Sequence, residues 1–556
     1  MGDNGRIDRI GEKLPTRRGI TSDFNLGGEQ AEADPLLEEA FYESSMFRSI
    51  SSRRDRHCFL IGRTGSGKSS ILQRLEESEP EHVIRINPEN LSLPYITDLN
   101  VMRYLDSLGV HLDPFFKALW KHIFLVEIIR HQYRINDVGA KRRFLAELIE
   151  RVKRDPSKKQ ALEYLNDFGE SFWCETDERV KEITTSFETR VNGAAEATVG
   201  NQVLGRFGIG AGADATTRSE IKAEETLRFQ RVVNDTQLPR LNKMIEVLRD
   251  EILGSAQDFT FVVIDDLDRG WIDDRLTNDL IRCLFQAVLD LQRVKNLKIV
   301  VALRTNIFTH LNFGSGTGGQ EEKFRSLAHF VTWSDWELKD LANKRAVVAA
   351  AQTSIGAVSG LEALLPPTTK KRGHPFNYVL DRTLMRPRDV IAFVNESFSQ
   401  SSGKKRLTWA DMDTAELRYS QNRLLALRDE WKPTFAGIGD VFDVFRGAPP
   451  LMSRDELGEI LDDVALLPAE INFQGSVWLT QMTEPLWDGV GRTEWAEQYS
   501  KLVQLLYDIG FIGIRNRGER VHHSYDDPGH ADSHKNLGPA ARFEVHRCFR
   551  PALDIS

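Results

Sequence analysis

Apolar and polar positions recur along this chain with periods that change from segment to segment. Leu36, Leu37, Ala40 and Phe41 fall at helical spacing and predict a helix leading into the first large unit. The run His57-Cys58-Phe59-Leu60-Ile61 is a short apolar stretch ahead of glycines, and it predicts a buried strand. A helical pattern, Ser70 to Leu75, follows within a few residues, and His82 to Asn87 reads as a second strand closed by Pro88. The period then lengthens. Pro114 to Phe124 opens a strongly apolar helix, residues 140–190 continue as amphipathic segments, and residues 220–253 are helical with Leu227, Val232, Leu241, Ile245 and Leu248 as core positions. Between them, Gly193, Gly200, Gly205, Gly208, Gly210 and Gly212 break every period, which favours a small hairpin or projection over residues 193–217.

Strand patterns return at Phe259 to Ile264, at Leu297 to Leu303, and around Phe330 to Trp333. Residues 336–430 are mostly helical, with loops at 366–376 and 399–406; Pro387 sits at a helix start, where its missing N–H costs nothing. The last stretch has amphipathic helices at 453–465 and 494–508. Gly510 to Arg515 and Ala541 to His546 then read as two strands of a hairpin with a polar tip. Helices followed by such a hairpin suggest a winged helix. The tip carries His522, His523, His530 and His534 with Asp526, Asp527 and Asp532; metal binding is conceivable there, and a disordered polar connection is the simpler expectation.

Composition narrows this picture without changing it. At 556 residues, the chain has room for roughly three or four domains. A net charge of -9 argues against a surface that coats nucleic acid, leaving only local basic faces such as Lys370-Lys371-Arg372, Lys404-Lys405-Arg406 and the cluster Arg48, Arg53, Arg54 and Arg56. Cys58, Cys174, Cys283 and Cys548 are far apart and read as buried thiols in a reducing compartment. No apolar run is long enough to span a bilayer, and the first residues lack an apolar signal core, so the expected location is the cytoplasm, with no membrane partner.

The candidate chemistry centres on Gly62-Arg63-Thr64-Gly65-Ser66-Gly67-Lys68-Ser69, continued by Ser70. This is a full G-x-x-x-x-G-K-[ST] motif between a predicted strand and a predicted helix. The glycines let successive N–H groups turn inward as an anion cradle, and the helix start adds positive potential. Lys68 is placed to reach the β- and γ-phosphates of ATP, and the Ser69 hydroxyl to ligate Mg²⁺. Asp265, at the end of the Phe259–Ile264 strand, is the second expected Mg²⁺ ligand, and Asp266 is placed to polarise the attacking water. In P-loop ATPases with an additional strand, a polar residue at that strand's end senses the γ-phosphate; Arg304, Thr305 and Asn306 stand there, unranked. Arg325 lies where related ATPases carry an arginine that reaches a neighbouring subunit's nucleotide, although a surface charge is the plainer reading. Arg388, ahead of Arg386, is the expected second sensor, brought from the lid toward the phosphates.

Gly62–Ser69, the strand ending Asp265-Asp266-Leu267-Asp268-Arg269, Arg386-Pro387-Arg388-Asp389 and the terminal hairpin pattern resemble the KAP- and STAND-like branch of AAA+ ATPases. More narrowly, they resemble a bacterial group of P-loop ATPases found in phage-defence loci. The resemblance implies an α/β P-loop NTPase with a parallel sheet, a large helical insertion, a helical lid and a C-terminal winged-helix domain. It implies an ATP-hydrolysing, Mg²⁺-dependent switch that forms a homo-oligomer and works with a protein effector or sensor. Two departures stand: KAP proteins carry membrane segments and STAND proteins end in long sensor repeats, and neither pattern is seen here. The expected layout is a flexible segment over 1–33, the ATPase core over 34–335 with an insertion over about 100–253, a lid over 336–440 and a winged-helix unit over 441–556. The alternatives are an origin-recognition-like ATPase that binds DNA and a nucleotide-bound scaffold with negligible hydrolysis.

Overall fold

The computed structural model describes residues 19–21, 23–87, 112–132, 238–265, 267, 275–311, 321–353, 355–401, 403–487 and 494–556, with isolated helical positions between 146 and 227. The Gly-rich segment 193–217, Asp266, Arg269, Val232 and Cys174 lie outside these residues. Two compact units divide the chain: one of residues 45–63 and 71–331, the other of residues 1–44, 64–70 and 332–556.

The first unit is a parallel α/β sheet. Its strands are β1 (Phe59–Gly62), β2 (Val83–Ile86), β3 (Thr260–Ile264), β4 (Leu297–Arg304) and β5 (Ala328–Phe330), ordered β2-β3-β4-β1-β5 with every pair parallel. An extra strand, β4, thus separates β1 from β3, the additional-strand arrangement expected above. Central β1 and β3 are buried at every residue, whereas edge strand β2 alternates, exposing Arg85 to pair with Glu76 at 2.6 Å. The helix after the glycine loop, α1, runs Lys68–Ser78. Helix α2 (Asp113–Gln132) is apolar almost all round and correspondingly buried. After α3 (Leu238–Val247), α4 (Arg275–Leu291) packs on α2, with Arg282 held by Asp113 at 2.6 Å and Trp120 Nε1 donating to Leu280 O at 2.9 Å. Phe285 of α4 stacks flat on Phe59 of β1, ring centroids 3.9 Å apart, which seats the helix on the sheet. Short helices α5 (Thr305–His310) and α6 (Glu321–Leu327) complete the unit.

Two expectations need correction here. Leu227, read as a core position, is 55% exposed, while Leu241, Ile245 and Leu248 are buried as expected. The last strand ends at Phe330 rather than Trp333: Val331 N still donates to Ile61 O at 2.7 Å, and the chain then leaves the sheet to reach Ser334, which caps the next helix.

The second unit is helical. Its helices after residue 334 are α7 (Asp335–Gln352), α8 (Pro375–Leu380), α9 (Pro387–Ser399), α10 (Trp409–Trp431), α11 (Ile438–Val444), α12 (Arg454–Leu466), α13 (Ser476–Trp487) and α14 (Trp495–Asp508). Capping boxes start α7 (Ser334 with Glu337), α10 (Thr408 with Asp411) and α12 (Ser453 with Glu456). Strands β6 (Ile512–Arg515) and β7 (Arg542–Val545) form the antiparallel pair expected at the end of the chain. One apolar core runs from Ile20 through α7–α10 to Phe511, Phe549 and Ile555, so the expected boundary at 440/441 falls inside a shared core.

Residues 19–33 differ from the flexible segment expected. Ile20, Phe24 and Leu26 are buried; Ile20 N donates to Lys404 O at 2.7 Å, and Asn395 grips the backbone of Leu26 and Gly27 at 2.7 and 3.0 Å. The buried pair Arg345–Asp34, at 2.7 Å, closes the strap. The connection between β6 and β7 also differs from a disordered tip: two short 3-10 turns bury His530, Ala531 and Leu537.

Candidate nucleotide site

The glycine loop leaves β1 at Gly62, passes through a turn over residues 64–67, and enters α1 at Lys68. Gly65 (φ 79°) and Gly67 (φ 97°) adopt left-handed conformations that side-chain-bearing residues avoid. The outer face of the loop is occupied by the helical unit to which residues 64–70 belong. Arg386 Nη1 donates to Thr64 O at 2.8 Å, Arg388 N to Gly65 O at 3.4 Å, and Trp333 Nε1 to Ser66 O at 2.8 Å. Three consecutive carbonyls are thus tied to the helical unit, in a glycine turn of the kind whose amides take an anion. Glu430, from the end of α10, accepts from Thr64 N at 3.1 Å.

Arg386 and Arg388 separate into two roles. Arg386 is clamped: Nε meets Asp389 Oδ2 at 2.9 Å, Nη2 meets Asp389 Oδ1 at 3.2 Å, and Nη1 lies 3.4 Å from Glu430 Oε2. Burial opposes its charge, but Asp389 and Glu430 outweigh that and hold its pKa above the ordinary value. Asp389 is held below the usual carboxylate range despite burial, by Arg386 and Arg423. Arg388 instead lies across Gly65: a Cβ built there would meet Arg388 Cβ at 2.8 Å and Nε at 3.1 Å. Its Nε donates to Glu29 O at 3.0 Å, and burial together with neighbouring Arg386 lowers its pKa.

The polar lining of the loop suits a phosphate-bearing ligand. Lys68 is buried, Ser69 and Ser70 are half-buried, and Thr64 Oγ1 and Ser66 Oγ are buried without a hydrogen-bond partner among the described residues. Arg63 is half-buried. The other candidates belong to the sheet unit. Asp265 is buried at the carboxyl end of β3; Arg304 ends β4 and starts α5, where Thr305 and Asn306 form the half-buried first turn. Gly62 lies level with Arg304, and β3 runs alongside β4. The carboxyl ends of β1, β4 and β3 therefore open on one edge of the sheet, with β1 and β3 about 10 Å apart. Arg325 is exposed in the last turn of α6. Ser69 in the loop and Asp265 at the end of β3 each carry an oxygen of the hard type that Mg²⁺ prefers.

Sequence reasoning missed Trp333, Glu430, Glu29 and Arg423. Trp333 was absorbed into a strand pattern, and nothing local marks Glu430, which reaches the loop across 366 residues of chain.

Comparisons with known proteins agree with this picture only in part. Residues 336–428 match the family described as the FunZ-associated C-terminal helical domain, the stretch that forms α7 to α10 here. Over 97% of its length the chain is 21% identical to the "Putative transposon gamma-delta 80.3 kDa protein" of Escherichia coli (strain K12), with 68% of that protein covered. The Aeropyrum pernix ORC1 protein, solved in complex with DNA, is similar over 93% of both chains at 12% identity, with a TM-score of 0.31, too low to bear on the fold. Among the described residues, no helix is long and apolar enough to cross a membrane.

Proposed function

We propose that this chain is an ATP-binding and ATP-hydrolysing switch. The observation that carries the reading is the glycine loop itself: a complete motif in strand–loop–helix context, with Gly65 and Gly67 left-handed and the loop's carbonyls fastened to the helical unit. Lys68 and the loop amides would bind the phosphates, Arg388 would approach them from above Gly65, and Asp266 would orient the attacking water. Ser69 and Asp265 would hold Mg²⁺, whose chemistry when bound is to neutralise charge on the phosphate oxygens. Arg304 or Thr305 would report the γ-phosphate, and Arg325 is the candidate for reaching a second copy in a homo-oligomer.

The finer reading, a phage-defence ATPase that controls a protein effector, is supported by the resemblance of the motif set. A DNA-binding ATPase is the second reading, favoured by the β6–β7 hairpin behind α14 and by the Lys370-Lys371-Arg372 loop. Phosphate release by wild type and Lys68→Ala tests the core proposal. Losing such a group costs about 2.7–4 kcal/mol of barrier, so turnover should fall by about 10²–10³-fold. Near-normal release by the variant would refute the assignment.

A further inference from the structure

The connection between β6 and β7 plays no part in the proposed nucleotide site, yet its backbone is held as a built structure. His522 N donates to Ile514 O at 2.8 Å and Ile514 N to His522 O at 2.9 Å, so this residue is fixed against β6. Farther along, a 3-10 turn over His530–Asp532 buries His530, whose side chain is 8% exposed, and lays its ring parallel to that of His522, centroids 4.3 Å apart. His530 Nδ1 lies 3.1 Å from Asp527 Oδ2, and Nε2 lies 3.2 Å from Asn516 Nδ2. An ionised carboxylate only accepts, so Nδ1 carries the proton and Nε2 presents its lone pair, toward which the Asn516 amide donates. That is the tautomer of a metal-bound imidazole with a carboxylate behind it. Glu519 Oε2 lies 3.6 Å from His522 Nε2, and one ligand atom from each of Glu519, His522 and His530 lies within 4.8 Å of the others.

We propose that Glu519, His522 and His530 form a site for a divalent transition metal of the zinc type, with Asp527 orienting His530 and a fourth position left to water. Ligand atoms around a tetrahedral zinc stand about 3.3 Å apart, so a cluster whose ligand atoms lie within 4.8 Å of one another closes by up to about 1.5 Å on loading. Two parallel rings direct their lone pairs in parallel planes and cannot meet on one ion; one ring must tilt. His530 is held by Asp527 and by burial, whereas the His522 side chain is 21% exposed and the Glu519 side chain 52%. His522 is therefore the ring that turns, and the metal takes the place of the Asn516 amide on His530 Nε2. Loading would tie the chain at His522, where it bridges to Ile514 of β6, to the turn at His530.

The test uses the full chain, stripped with chelator and titrated with Co²⁺, then with competing Zn²⁺. The expected result is one equivalent of Co²⁺ with the visible spectrum of a tetrahedral site, displaced by one equivalent of Zn²⁺. Lys68→Ala should keep that equivalent. Glu519→Gln and His522→Ala, both at exposed or partly exposed side chains, should lose it, and Asp527→Asn should weaken it by about 10–100-fold. A wild type that takes up no metal more tightly than His522→Ala, or a His522→Ala/Glu519→Gln chain that retains the same spectrum and stoichiometry, would overturn the assignment.

Discussion

Arg386→Ala removes the centre of the clamp that holds the glycine loop, and the structure sets the size of its effect. Its side chain is 9% exposed, that of Asp389 0% and that of Glu430 7%, so the variant leaves two carboxylates in a place from which water is excluded. Breaking a buried pair by deleting one partner costs about 3–5 kcal/mol. Here the lower end applies, because Asp389 keeps Leu384 N at 3.0 Å and Arg423 at 3.5 Å, and Glu430 keeps Thr64 N at 3.1 Å. The loop also loses the bond to Thr64 O. A local cost of about 3 kcal/mol is about a hundredfold in the opening equilibrium. Hydrogen exchange of peptides covering 62–70 and 384–392 reads this directly, since protection reports local opening. Both should lose about two orders of magnitude in protection, while the core of α14 stays unchanged. A cycle with Glu430→Ala should give a coupling of about 0.5–3 kcal/mol. Unchanged protection over 62–70 would refute the claim that Arg386 holds the loop.

Two further outcomes follow from named geometry. Gly65→Ala should cost about 1–2 kcal/mol for its left-handed φ alone, and the added Cβ at 2.8 Å from Arg388 Cβ adds a steric part that Arg388→Ala should relieve in a double-mutant cycle by denaturation. His523 is depressed to about 4 by burial and by nearby Arg550. The unfolded chain therefore takes up a proton that the folded chain refuses, so stability is full above about pH 6.5 and falls toward pH 4, by about 2 kcal/mol at pH 5. Urea midpoints at pH 7.5 and pH 5 should converge in His523→Gln, and an equal acid loss in the variant would remove His523 as the cause.

The parts legible in the sequence were those whose information is local. The glycine loop is a contiguous motif, and β1 and β3 are short apolar runs buried on both faces. Pro387 marked the start of α9, and the final hairpin pairs close to where its strand pattern lay. The strap over residues 19–33 was not legible, because Ile20, Phe24 and Leu26 follow no period; they are held by Asn395, Arg345 and the 401–404 turn, all more than 300 residues away. The β6–β7 connection misled for a related reason. Its histidines and aspartates read as a solvated tip, yet they satisfy one another (His530 with Asp527 at 3.1 Å), which lets Ala531 and Leu537 go into the core. Arg386 and Arg388 are two residues apart with the same chemistry, and only the position of Glu430 and Asp389 separates the clamped one from the one lying across Gly65.

Helix α10 gives the clamp a mechanical consequence. It runs 23 residues, about 34 Å, with a capping box at Thr408 and no glycine or proline to bend it. Near its start, Asp411 holds Lys404 at 2.6 Å, next to the turn that receives Ile20. Midway, Ser420 Oγ accepts from Ala552 N at 3.0 Å, and Tyr419 donates to Arg382 O at 2.9 Å. Arg423 reaches Asp389 and Glu29, and Glu430 at the far end holds the loop at Thr64. A helix with no residue that kinks it transmits displacement along its length more readily than it bends at one point. Under the proposed function, any nucleotide-driven shift of Thr64 must therefore either break the Glu430 bond or carry α10 with it. In the second case the chain's last residues move too, because Ala552 rides on the same helix. The strap over residues 19–33 would feel the same motion through Glu29 and Lys404, so that strap and the stretch around Ala552, which the sequence leaves unrelated, are read out by one element.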